Sequence, residues 1–167
     1  GILFNHESHL RNSNFVIQKI IKSAKDISKN KSVRIKLGNI DIVRDWGWAP
    51  EYIEAMQLIV NSKKLNDHVI CTGKSHSLKD FIAKVFSNYN LNWEDYVETS
   101  ERYIRPNEVD YLLGDPTKAS KELSWKPKTS FDELIDMMIE SDLILGKREQ
   151  VLLKEGLIEP TWENPIS

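Results

Sequence analysis

The chain has 167 residues, of which 40% are hydrophobic and 29% charged, and its formal net charge is −2. This composition is typical of a folded globular protein, and the interspersed charges argue against a nucleic-acid binder, which would carry a basic stripe. The single cysteine, Cys71, excludes an internal disulfide and a cysteine-based zinc site. No apolar run approaches the roughly 20 residues that span a bilayer. We therefore expect a cytoplasmic protein with no membrane or nucleic-acid partner.

The first elements alternate between strand and helix. Residues 1–4 form an apolar run that begins at once and without methionine, so we expect a strand and a chain that is a fragment or a processed product. Residues 12–14 offer N-cap oxygens before a predicted helix that ends at Asn30. Alternation over residues 33–37 predicts a half-buried strand. The apolar face of the helix repeats at three- and four-residue intervals: Ile17, Ile20, Ile21, Ala24 and Ile27.

Two further helices and a strand follow. Pro50 suits the first turn of a helix, and residues 68–72 predict a short strand. Ser77 and Asp80 form a capping box that opens the next helix. The first of these helices has the predicted apolar stripe Tyr52, Ile53, Met56, Ile59 and Val60. The second has the predicted buried face Leu78, Phe81, Ile82, Val85 and Phe86.

The last part of the chain is predicted to be helical with short connections. Asp115, as N-cap, and a following proline predict a helix to about Leu123, and Trp125 is expected in the core. Ser130 opens another helix with a capping box, and Gly146 is expected to end it. The stripe of that helix is Leu134, Ile135, Met138 and Ile139. The order of elements predicts an α/β fold.

Complete catalytic motifs are absent from the sequence. It has no glycine-rich phosphate loop, no G-x-S-x-G nucleophile elbow and no tyrosine followed four residues later by lysine. Its four histidines do not pair with carboxylates at metal-ligand spacing. By itself the sequence therefore predicts a binding unit without catalytic residues and without a metal site.

Three polar segments could bind a ligand. The first is residues 5–8 with Arg11, placed where a strand ends; the alternative is a structural turn. The second centres on Arg44, whose planar donors suit phosphate oxygens; the alternative is an ion pair with Asp41 or Asp45. The third is residues 105–108, for which a surface ion pair is again the alternative.

Together these segments resemble the GDP-mannose 4,6-dehydratases of the extended short-chain dehydrogenase/reductase family. The similarity follows the family order over nearly the whole chain to about residue 149. The matching stretches are GILFNHES (1–8), FVIQKI (15–20), LGNIDIVRDWGWAPEYIEAM (37–56), VICTGKSHSLKDF (69–81), WEDYV (93–97), RPNEVD (105–110), LLGDP (112–116) and LSWKPKTSF (123–131).

The resemblance implies a fold and an activity. Residues 1–149 would hold the last Rossmann strands and a small α/β substrate domain, and residues 150–167 a tail, with the NADP-binding Rossmann domain absent from this chain. Family enzymes convert GDP-mannose to GDP-4-keto-6-deoxymannose with bound NADP. Their catalytic residues precede Gly1, so the chain alone is expected to be inactive. A full-length protein would be a homo-oligomer, a dimer or tetramer.

The resemblance also implies the roles of particular residues. His6 and Arg11 match positions that contact NADP. The implied substrate-binding residues are Asn5, Val16, Lys19, Leu37, Gly38, Asn39, Arg44, Arg105 and Glu108. Other activities stay open: a GDP-heptose 4,6-dehydratase, a GDP-sugar reductase, or a truncated protein that binds a GDP-sugar without catalysis.

Overall fold

The computed structural model describes residues 1–104 and 107–158. Within those ranges the chain forms eight short strands and five α-helices. The strands are β1 (Ile2–Leu3), β2 (Asn5–Glu7), β3 (Ile35–Leu37), β4 (Val43–Arg44), β5 (Trp46–Trp48), β6 (Val69–Ile70), β7 (His76–Ser77) and β8 (Val97–Thr99). The helices are α1 (Val16–Lys29), α2 (Ala49–Val60), α3 (Leu78–Asn88), α4 (Thr117–Leu123) and α5 (Phe131–Lys154).

The strands pair two by two, and each partner is distant in sequence. β1 pairs in parallel with β6, β2 with β5 and β3 with β8, whereas β4 and β7 are antiparallel. The three predicted strands are confirmed, although each is shorter than its apolar run. β2 was not predicted, because its residues are polar and its backbone partner lies about forty residues later, in β5.

The main core lies between α1, α3 and α5, and the predicted buried faces of these three helices are confirmed. Ile20, Ile21, Ile82 and Ile135 are fully buried there. Each buried aliphatic side chain contributes about 1.5–3 kcal/mol relative to an exposed one. Strands β3 and β5 add Leu37 and Trp46 to the same cluster, so the core supports the strands that carry the polar segments.

The predicted apolar stripe of α2 is only partly correct. Tyr52 is buried, but Ile53 is 51% and Val60 77% exposed. The helix packs on one side only, where Tyr52 and Ala55 meet Ile70, Ala119 and Trp125. Glu51 is buried instead, because its carboxylate accepts hydrogen bonds from Lys128 and Thr129. Hydrophobic periodicity cannot anticipate a buried carboxylate whose partners lie about 77 residues away.

The helix starts follow the sequence signals in three cases, one of them Pro50 in the first turn of α2, and depart from them in two. Both capping boxes form, at Ser77 and at Ser130. At α1 the N-cap is Phe15 without a side-chain bond, because Asn12 accepts from the backbone of Asn14 instead. At α4 the N-cap is Pro116, and the Asp115 carboxylate accepts from the backbone of Thr117. The predicted ends of α1 and α4 are confirmed.

The predicted helix end at Gly146 is wrong. α5 continues to Lys154, and the chain leaves the helix at Gly156, whose φ is +66°. There the Leu157 N–H donates to the Leu152 carbonyl and the Gly156 N–H to the Leu153 carbonyl, the bond pattern of a left-handed helix cap. The expected boundary after residue 149 therefore falls inside a helix.

Substitution by alanine should change the stability of the protein in opposite directions at Gly146 and at Gly156. Gly146→Ala should raise the free energy of unfolding by up to about 1 kcal/mol, because alanine favours a helix interior; its Cβ would lie 3.3 Å from the Lys25 ammonium, which would shift slightly while keeping its ion pair with Asp142. Gly156→Ala should lower it by about 1 kcal/mol, because a left-handed conformation disfavours a Cβ. Urea unfolding followed by circular dichroism measures both, and changes of the same sign would contradict the assignment.

Candidate functional site

The first polar segment is a strand rather than a turn. Asn5 is exposed and lies opposite Trp46 in the parallel pair of β2 and β5. The His6 ring stacks on Tyr52 with ring centroids 4.9 Å apart, and its Nδ1 donates to the Phe4 carbonyl at 2.8 Å. Pairing along β2 therefore fixes the orientation of His6 and leaves its Nε2 without a partner among the described residues.

Arg11 is held against this strand by its own chain. Its Nε donates to Glu7 at 2.7 Å and its Nη2 to the His6 carbonyl at 2.6 Å. The guanidinium lies 4.4 Å from the centroid of the Phe15 ring. Burial raises the pKa of Glu7, and the hydrogen bond and charge of Arg11 oppose that shift. Arg11 thus stabilises a buried carboxylate, and its Nη1 has no partner among the described residues.

A second group of predicted residues meets the segment around Tyr103. The Lys19 ammonium donates to the Lys36 carbonyl at 2.9 Å and lies 4.9 Å from the Tyr103 ring centroid. The Leu37 carbonyl accepts from the backbone of Ser100 at 2.8 Å. A Cβ on Gly38 would lie 2.3 Å from the Tyr103 carbonyl oxygen, so only glycine fits there. Positions 19, 37 and 38 therefore converge on residues 100–103.

Two other predicted residues flank this group. Val16, the first residue of α1, is 37% exposed. The Asn39 side chain accepts a hydrogen bond from the backbone N–H of Asp41 at 2.9 Å, which closes a local turn after β3. Both therefore border the surface on which Lys19 and Gly38 lie.

Arg44 joins β4 to the segment that carries Glu108. Its Nη1 donates to the Val43 carbonyl at 2.9 Å and to the Asp110 carbonyl at 3.4 Å, and its Nη2 donates to the Glu108 carboxylate at 3.3 Å. The alternative of an ion pair with Asp41 or Asp45 is wrong, since the acidic partner lies 64 residues away. Arg105 lies outside the described residues, between Tyr103 and Glu108.

Asp45 is the residue that the sequence analysis missed. Its carboxylate is fully buried between β4 and β5. One oxygen accepts from the Thr72 N–H at 2.8 Å and from the Thr72 hydroxyl at 2.6 Å. The other accepts from the N–H groups of Gly73 at 2.9 Å and Gly114 at 3.4 Å. The only sequence signal was an aspartate beside an arginine, which suggested an ion pair and concealed these bonds.

Known proteins resemble this chain in sequence. The family model described as GDP-mannose 4,6 dehydratase matches residues 1–138. The chain belongs to this family. GDP-mannose 4,6 dehydratase 1 of Arabidopsis thaliana is 46% identical over 159 residues, which are 95% of this chain and 44% of that protein. The human GDP-mannose 4,6 dehydratase is 41% identical over 162 residues, with 87% of this chain and 44% of the human protein covered.

Solved structures with the same fold are more distant in sequence. The dTDP-glucose 4,6-dehydratase of Bacillus anthracis, solved with NAD, superposes with a TM-score of 0.73 at 13% identity and covers 89% of this chain and 44% of its own. RMD from Pseudomonas aeruginosa, solved with NADPH, superposes with a TM-score of 0.71 at 14% identity. The match covers 83% of this chain and 45% of the RMD chain. These similarities confirm the α/β fold. In these comparisons the chain spans less than half the length of the relatives that it matches.

The described residues also bear on membrane association. None of the helices within residues 1–104 and 107–158 combines the length and the apolar character that a transmembrane span requires.

Asp45→Asn should destabilise the protein by about 1.5–3 kcal/mol, the value of a hydrogen bond to a charged group. An amide nitrogen cannot accept from the N–H groups of Gly73 and Gly114, so these donors would be left buried and unpaired. The matched control is Asp41→Asn at an exposed aspartate four residues earlier, which should change stability by less than about 0.5 kcal/mol. Urea unfolding measures both; equal effects would show that the Asp45 bonds are unimportant.

Proposed function

We propose that this chain supplies the sugar-nucleotide-binding part of a GDP-mannose 4,6-dehydratase. The observation that supports the proposal is the convergence of predicted residues on two stretches close in sequence, residues 100–103 and 108–110. Lys19 and Gly38 meet Tyr103, and Arg44 meets Glu108. Residues from α1, β3 and β4 thus surround one segment, which also includes Arg105 in sequence. The family relationship supports assigning this surface to the nucleotide.

The side chains on this surface suit a nucleoside diphosphate. Arg44 and Arg105 would clamp the diphosphate, because a guanidinium offers paired donors that match phosphate oxygens. Lys19 adds a positive charge at the edge of the same surface. Glu108 would accept from ribose hydroxyls. The remaining predicted substrate contacts, Asn5, Val16, Leu37 and Asn39, would lie around the nucleotide and the sugar.

A nicotinamide cofactor, NADP in our proposal, would meet this chain at His6 and Arg11. Both residues fit that role, since Nε2 of His6 and Nη1 of Arg11 have no partner among the described residues. The other ring nitrogen of His6 is bonded to Phe4. The other two guanidinium nitrogens of Arg11 are bonded to Glu7 and to the His6 carbonyl. The cofactor supplies hydride chemistry when it is bound. This chain would orient its edge through two preset groups: Nη1 of Arg11, which donates, and Nε2 of His6, which accepts while Nδ1 carries the proton that it donates to Phe4.

The catalytic residues of the reaction would lie in the part of the relatives that this chain does not match. We propose that residues 1–149 hold late Rossmann elements and the substrate domain, and that residues 150–167 form a tail whose first residues still belong to α5. The whole protein would be a cytoplasmic homo-oligomer, and the present chain would not turn over GDP-mannose, because the sequence carries no tyrosine and lysine pair at the required spacing.

Loss of either arginine should weaken GDP binding. Arg44→Ala and Arg105→Ala should each raise the dissociation constant for GDP by roughly 10- to 150-fold, since a charged hydrogen bond contributes about 1.5–3 kcal/mol. Arg44→Lys should recover part of the affinity, because it keeps the charge but not the paired geometry. Arg34→Ala, at an exposed arginine before β3, is the control. Calorimetric titration of GDP into folded variants measures the change, and unchanged affinity in both alanine variants would refute the clamp.

Glu108→Gln separates two roles of this carboxylate. If Glu108 accepts from the ribose hydroxyls, as we propose, the substitution should weaken GDP binding by about 3- to 30-fold. The affinity for free pyrophosphate, which has no ribose, should then change little. If Glu108 only competes with phosphate for the Arg44 guanidinium, both ligands should bind more tightly. Parallel titrations of GDP and pyrophosphate decide between these outcomes, and tighter binding of both would overturn the ribose contact.

A further inference from the structure

A second candidate site is a cavity whose lining includes Thr72, a hydrogen-bond partner of Asp45. Its volume is about 420 Å³, within the usual range of roughly 300–1,000 Å³ for small-molecule sites. The loop from Thr72 to His76 forms one wall, the start of α4 a second, and residues 125–131 a third. The lining includes neither Arg44 nor Glu108, so the cavity is distinct from the proposed GDP site.

The polar groups of this cavity are donors of positive character. Three lysines, Lys74, Lys126 and Lys128, line it, and none of the lining residues that the structure describes carries a carboxylate. Lys128 lies 3.6 Å from Glu54, with both side chains more than half exposed, a weak ion pair. Lys74 and Lys126 form no ion pair with any described residue. The cavity therefore favours an anion.

Several hydroxyls line the cavity as well, but most are already engaged. Those of Thr72, Thr129 and Ser130 donate to Asp45, Glu51 and Glu133. The Thr117 hydroxyl is likewise engaged, with the Asp115 carboxylate. The Ser120 hydroxyl, on α4, has no partner among the described residues and completes the set of donors.

Two buried carboxylates fix the walls of the cavity, and hydrogen bonds from those walls compensate their charges. Asp45 holds Thr72 and Gly73. Glu51 accepts from the backbone of Lys128 and Thr129 through its side chain, and its carbonyl accepts from the Trp125 indole at 3.0 Å. The backbone that carries the lysines is therefore held in place before any ligand binds, which lowers the entropic cost of binding.

Aromatic rings form the remaining surface. Trp46, Trp125 and Phe131 line the cavity, and Phe131 stacks on His76 with ring centroids 3.8 Å apart and planes within 2°. An inorganic ion would gain nothing from apolar contact, whereas the carbon skeleton of an organic anion would bury apolar area, mainly against Phe131, since Trp46 and Trp125 are themselves only 5% and 3% exposed. We propose that this cavity binds a small organic phosphate, with its phosphate between Lys74 and Lys126 and its carbon skeleton against the rings.

Paired titrations test the proposal with glucose 6-phosphate and inorganic phosphate as probes. We expect glucose 6-phosphate to bind more tightly than inorganic phosphate and to shift the indole N–H resonance of Trp125. The double variant Lys74→Ala/Lys126→Ala should weaken its binding at least about tenfold. The double variant Lys63→Ala/Lys64→Ala, at exposed lysines beyond α2, should leave binding within about twofold of the parent protein.

The outcome is independent of the GDP site. Arg44→Ala should not change glucose 6-phosphate binding, and the lysine double variant should not change GDP binding at the Arg44 surface. Equal losses in the two lysine double variants would overturn the proposal, as would equal affinity for glucose 6-phosphate and inorganic phosphate. Loss of glucose 6-phosphate binding in Arg44→Ala would also overturn it, by placing the ligand at the other site.

Discussion

The buried carboxylate of Asp45 connects the parts of this protein that we assign to binding. Removal of a carboxylate from water is costly unless hydrogen bonds replace its hydration, and here Thr72, Gly73 and Gly114 provide four. The residue sits between β4 and β5, next to Arg44. The same bonds hold the loop from Thr72 to His76, which forms one wall of the cavity that we propose as an organic phosphate site. Both surfaces therefore depend on one charge that itself contacts no proposed ligand.

Close backbone approach is the second constraint on the GDP surface. Gly38 passes so near the Tyr103 carbonyl that a side chain would collide with it. Gly114 is similarly confined, because a Cβ there would lie 2.4 Å from the Cys71 sulfur. Burial and the nearby Asp45 charge raise the pKa of the Cys71 thiol to about 12, so this cysteine packs as an apolar group and is not a nucleophile. Glycine at these positions lets distant segments meet.

We propose a division between binding and chemistry on the basis of what this chain contains. Its family is known from the match over residues 1–138, yet it spans only 44% of the Arabidopsis and human relatives. The side chains that it offers at the proposed site are arginine, lysine, histidine and glutamate, which position phosphates and hydroxyls. In our proposal the chemistry is performed elsewhere in the whole protein, and this chain sets the geometry in which the substrate is held.

Local interactions explain what the sequence determined. The capping boxes at Ser77 and Ser130 and the stripes of α1, α3 and α5 involve residues three or four positions apart, so they are visible along the chain. The family resemblance likewise depended on short colinear motifs. Tertiary structure alone decided the acidic partner of Arg44 and the donors to Asp45, which lie 27 to 69 residues away. It also decided the exposure of Ile53. It also decided between Gly146 and Gly156 as the helix end, because a glycine ends a helix only where packing lets the backbone turn left-handed.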